Sequence, residues 1–123
     1  MVEEDLTSTV VRHLDYRVLV LAGEIDMYTA PALRDQIFEL IDEDRRPLVI
    51  DLTEITFCDS AGVNIAAAAR KHAAGRDVMF AVVGLSARVD KVFRMTGMHK
   101  LIPTYATLPE AAIDLIKTTL SSD

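Results

Sequence analysis

The sequence of 123 residues holds one cysteine, Cys58, so no disulfide can close within the chain, and a reducing compartment suits it. It has no long hydrophobic run: a membrane-spanning helix needs about 20 apolar residues, and no stretch approaches that. The opening MVEEDLTS is acidic and polar, unlike a secretory leader. A cytoplasmic protein without a membrane partner is expected. Basic excess is missing as well. Thirteen Lys and Arg stand against 19 Asp and Glu, giving a formal net charge of −6 that disfavours a nucleic-acid partner.

Glycine loops that cradle phosphate, GxxxxGK[ST] or GxGxxG, do not occur. His13, His72, His99 and Cys58 lack the spacing of metal ligands, so neither a metal nor another cofactor is expected. The nucleophile elbow GxSxG is incomplete, because Cys58 stands two residues before Ser60. No histidine stands in a context that marks it as a base for that serine.

What the chain does contain is globular in character: 50% hydrophobic and 26% charged residues, in one domain over 1–123. Thr9–Val11 and Val18–Ala22 are strand-like runs that suit a hairpin. Thr29 is placed to cap a helix with Pro31 in its first turn and Leu33, Ile37, Leu40 and Ile41 on its buried face. LVIDL at 48–52, continued by ITF at 55–57, is a strand, and the alanines from 63 to 74 predict a helix ended by Gly75. VMFAVV at 78–83 is apolar without alternation, which predicts a strand covered on both faces.

Ser86 caps a further helix that carries Val89, Val92 and Phe93 and closes at Gly97. Leu101–Ile102 is a short strand candidate. Thr107 and Glu110 form a capping box for a last helix with Ala112, Leu115, Ile116 and Thr119 inward. Strands alternating with helices through short links give an α/β domain, with a mixed, largely parallel sheet of about five strands and about four helices.

The segment FCDSAGVN at 57–64 sets the functional question. A strand ends at its start, a helix begins after it, and Asp59 or Ser60 can cap that helix. GEID at 23–26 also ends a strand; if the two strands are neighbours, Asp26 and Asp59 flank Ser60.

Three segments carry a family likeness: GEIDMYTAPALRDQI at 23–37, LVIDLTEITFCDSAG at 48–62, and RVDKVFRMTGMHKLI at 88–102. In order and spacing they resemble the STAS domains of bacterial anti-sigma factor antagonists, over roughly residues 10 to 118. The resemblance implies that Ser60 is phosphorylated by a partner anti-sigma factor that is also a Ser/Thr kinase and brings ATP and Mg²⁺. The unphosphorylated form binds that partner and frees the sigma factor; a phosphatase resets the switch. It further implies a partner-binding face of Asp26, Met27, Tyr28, Asp59, Ala61, Gly62, Met95 and Met98, and no catalysis by the chain itself. A sensory or scaffold STAS module outside sigma-factor control is the alternative. Ala61 departs from the Ser or Thr common in relatives, leaving Ser60 the only hydroxyl of its motif. Cys58 stands where a larger apolar residue is common.

Overall fold

The computed structural model describes residues 5–121. Strand β1 (Leu6–Arg12) and strand β2 (Arg17–Ile25) form an antiparallel hairpin. Helix α1 (Ala30–Glu43), strand β3 (Leu48–Cys58), helix α2 (Ser60–Gly75) and strand β4 (Phe80–Val83) follow. Helix α3 (Ala87–Thr96), a 3₁₀ turn (Met98–Lys100), strand β5 (Thr104–Tyr105) and helix α4 (Leu108–Ser121) complete the order. The sheet runs β1-β2-β3-β4-β5, and every pairing after the hairpin is parallel.

Two cores flank this sheet. On one face α1, α2 and α3 bring Leu33, Ile37, Ala69 and Phe93 against Leu19, Leu21, Ile50 and Val82. On the other, Ala111 and Leu115 of α4 cover Val18, Val49, Ala81 and Val83. Strand β4 therefore sends alternate residues into different cores, which is why its run shows no polar face. In α1 the buried set is Leu33, Ile37, Leu40 and Ile41, as the helical period predicts. Ala69 and Ala73 in α2 are fully buried, and their small side chains let the helix lie close to the sheet. No helix of the described residues is long and apolar enough to cross a membrane.

Three local expectations are corrected. Leu101–Ile102 is not a strand: the N–H groups of both residues donate to the Met98 carbonyl at 2.9 Å, closing a turn that buries Ile102, and pairing with β4 begins at Thr104. In α4 the buried residues are Ala111 and Leu115, while Ala112 and Ile116 are half-buried; the Thr119 side chain lies outside the described part. Starting the helix at Leu108 puts Leu108, Ala111 and Leu115 on one stripe. Helix α2 does end at Gly75, and the left-handed residue that follows is Asp77 (φ 56°), two positions on. Thr29 makes no side-chain cap to α1, for a reason that belongs to the site.

Arg17, at the start of β2, is a feature the sequence did not announce. It is fully buried, and its guanidinium donates to the carbonyls of Leu40 in the last turn of α1, of Asp44 just after it (3.2 Å) and of Arg46 in the link to β3 (2.6 Å). Glu43 and Asp44 each approach it at 3.5 Å and are themselves paired to Arg12 and Arg46. Burial lowers the Arg17 pKa, whereas hydrogen bonds from Arg46 hold the Asp44 carboxyl down at about 2.

Candidate functional site

Strands β2 and β3 are parallel neighbours, with Ile25 opposite Cys58. GEID and DSAG thus end at the same sheet edge, and the Asp59 N–H donates to the Ile25 carbonyl at 3.2 Å. Asp26 and Asp59 sit on adjoining loops, where open α/β sheets gather functional groups.

The capping question resolves in favour of the acid. Asp59 is the N-cap of α2, its Oδ1 accepting from the Ala61 N–H at 2.8 Å and its carbonyl from the Gly62 N–H at 3.0 Å. Ser60 is the first residue of the helix and is exposed. Among the described residues, its hydroxyl has no hydrogen-bond partner. The structure spends Asp59 on the fold and leaves Ser60 to solvent.

Asp26 organises the other loop. Its Oδ1 accepts from the N–H groups of Tyr28 at 2.9 Å and Thr29 at 3.0 Å. The Thr29 hydroxyl accepts from the Asp26 N–H and donates to the Glu24 carbonyl, both at 3.0 Å. That closed exchange occupies Thr29, so its oxygen does not turn to the helix. The loop so fixed holds Met27 69% and Tyr28 83% exposed, and Phe57 at the end of β3 is 41% exposed. An apolar lip therefore stands at the Ser60 end of the sheet. Phe57 was missed from sequence, although an aromatic closing a strand three residues before the serine is a readable signal.

Met95, near the end of α3, is 76% exposed, whereas Met98 is half-buried and packs against the core. Ala61 and Gly62 are half-buried. A Cβ on Gly62 would lie 2.2 Å from the Cys58 Sγ and 3.2 Å from Ile25, so the space at this glycine is filled from within the chain. Burial, then the Asp59 carboxylate, pushes the Cys58 thiol up to about 11, so it stays protonated at neutral pH.

The histidines are engaged elsewhere. His72 lies 12 residues along α2 from Ser60, a rise of about 18 Å, where it meets Asp42 at 2.8 Å and stacks on Phe38. His13 stacks on Tyr16 in the hairpin turn at the opposite end of the sheet. His99 directs Nδ1 to the Phe93 carbonyl at 3.4 Å. No group of His, Cys, Asp and Glu among the described residues is placed to hold a metal ion.

A mixed five-stranded sheet, with a capped helix presenting an unbonded serine at the same end as an exposed apolar lip, defines an α/β module with a candidate contact surface at that end. The STAS domain family model matches residues 7–111. RsfB of Mycobacterium tuberculosis, an anti-sigma-F factor antagonist, is 34% identical over 108 residues, 88% of either chain. A solved anti-sigma factor antagonist from Mycobacterium paratuberculosis superposes with a TM-score of 0.82 at 34% identity, over 89% of this chain and 93% of that one. The unphosphorylated anti-sigma factor antagonist SpoIIAA shares the fold, with a TM-score of 0.74 at 22% identity over 91% of this chain and 97% of that one. The chain belongs to the STAS domain family, in its anti-sigma factor antagonist branch.

Proposed function

We propose that this protein is an anti-sigma factor antagonist whose docking is switched by phosphorylation of Ser60. The unmodified chain docks on an anti-sigma factor through the loops around Asp26 and Asp59 and the lip of Met27, Tyr28 and Phe57. The partner, acting as a Ser/Thr kinase in the cytoplasm, transfers the γ-phosphoryl group of ATP to the Ser60 oxygen. The hydroxyl proton leaves, ADP departs, and a phosphatase later restores the hydroxyl.

The observation that carries this reading is the division of labour at the start of α2. Asp59 supplies the cap, so Ser60 is released from structural duty and its oxygen is open to an incoming kinase. Phosphate adds about −1.5 to −2 charge and three acceptor oxygens. A free helix start would neutralise much of that charge. Here the Ala61 and Gly62 N–H groups already bond Asp59, and Asp59 and Asp26 add negative charge nearby. The phosphate therefore faces outward into the partner's side of the interface, where repulsion and bulk release it.

Intact-mass analysis after incubation with ATP, Mg²⁺ and candidate anti-sigma kinases tests the switch. One phosphate, mapped to Ser60 and absent from Ser60→Ala, is the expected result. An active kinase that binds the chain yet leaves its mass unchanged would return the reading to a scaffold module.

A further inference from the structure

Among the described residues nothing pairs with the outer edge of β1, and the hairpin fixes which of its groups face outward. The Glu24 N–H donates to the Asp5 carbonyl at 2.7 Å, and the His13 N–H to the Tyr16 carbonyl at 2.9 Å. Antiparallel ladders alternate, so Asp5, Thr7, Thr9, Val11 and His13 bond inward to β2. Leu6, Ser8, Val10 and Arg12 direct their N–H and C=O groups outward, where no described residue bonds them. Natural edges are blunted by proline, lysine, bulges or a covering element. Leu6–Val11 has none of the first three, and its pairing with β2 has no register shift.

We propose that this edge pairs with the same edge of a second copy, antiparallel about Thr9, to give one continuous sheet across a two-fold axis. The parity fits. Pairing about Thr9 sets Leu6 opposite Arg12 and Ser8 opposite Val10, so all four outward-facing residues meet outward-facing residues. Thr9 meets Thr9, and Thr7 meets Val11, as the closer non-hydrogen-bonded pairs. Charge agrees: in a chain of net charge −6, residues 6–11 carry none, and Asp5 falls opposite His13 of the second copy. Val11, 38% exposed in the single chain, is covered by Thr7. Because the two β1 strands pair antiparallel, the two Ser60 ends lie at opposite ends of the joined sheet, and both faces remain open to partners. A single seven-residue strand makes a small interface, so the association is weak and depends on concentration.

Single-cysteine variants in a Cys58→Ala background test the register. A non-hydrogen-bonded pair places its Cα atoms about 4.5 Å apart, within disulfide reach, so Thr9→Cys crosslinks in mild oxidant to a species of twice 13.6 kDa. Thr7→Cys alone does not, because its counterpart lies about 13 Å away along the strand, but Thr7→Cys mixed with Val11→Cys does. Thr9→Lys sets two ammonium groups at the axis and weakens self-association measured by sedimentation about fivefold, while its far-ultraviolet circular dichroism matches the parent. Equal crosslinking at Thr7 and Thr9, or a monomer at every concentration with no crosslink at Thr9, overturns the proposal.

Discussion

The two ends of the parallel strands treat polar groups in opposite ways. At the end where β2 and β3 begin, Arg17, Arg12, Arg46, Glu43 and Asp44 close on one another and on the carbonyls that finish α1. At the end where those strands finish, the carboxylates of Asp26 and Asp59 bond only their own loops, the Ser60 hydroxyl is unbonded among the described residues, and three large apolar side chains face solvent. Polar groups that satisfy one another hold the fold. Groups left over, beside apolar surface that no described residue covers, are what the proposed docking face requires.

Substitutions at the two ends should therefore separate stability from docking, and the largest effect belongs to the first end. Arg17→Met leaves the carbonyls of Leu40, Asp44 and Arg46 and two carboxylates without their shared cation. A loss of about 3–5 kcal/mol in urea unfolding is expected, with unchanged partner affinity for the fraction that folds. Partner affinity falling with stability intact would break the comparison.

Gly62→Ala acts at the second end through packing. Its Cβ meets the Cys58 sulfur, so a loss of about 1–3 kcal/mol is expected, and Cys58→Ala in the same chain should recover most of it. Additive losses in the double variant would show that the two residues do not share one space.

Asp59→Ala removes the cap and should cost about 1 kcal/mol. Ser60→Ala should change stability by less than about 0.5 kcal/mol yet abolish phosphate uptake in intact-mass analysis. A Ser60→Ala cost as large as that of Asp59→Ala would assign the serine a structural bond.

Acid gives a gentler probe of the first end. The Asp44 carboxyl is held at about 2, below its ordinary 3.8, so its contribution is complete above the ordinary value and is lost as pH falls from there through about 2. Urea midpoints measured over that range should drop more in the parent than in Asp44→Asn.

Much of this arrangement can be read from local sequence, because local rules produce it. The four inward residues of α1 follow its helical period, Ser86 and Gly97 bracket α3 as a cap and a left-handed stop, and the unbroken apolar run of β4 signals two covered faces. GEID and DSAG are local as well, and parallel pairing of β2 with β3 brings them together. What was not legible depends on distant partners or on competition between near-equal local bonds. Arg17 reads as a surface cation because the carbonyls it serves lie 23 to 29 residues on. Thr29 reads as a cap because nothing local reveals that Asp26 engages it first. Leu101–Ile102 has strand composition, but a 3₁₀ turn uses its amides.

One backbone bond at the site has a spectroscopic consequence. The amide proton of Asp59 bridges to the Ile25 carbonyl and is the seam between the two loops. Its resonance is a built-in gauge: the proposed phosphate, one residue away, should displace it, whereas loosening the Arg17 cluster at the far end of β2 should leave it in place. In a ¹⁵N-labelled chain, that single cross-peak followed in real time should report phosphate uptake inside a mixture of unlabelled kinase, phosphatase and sigma factor, without a bulky tag.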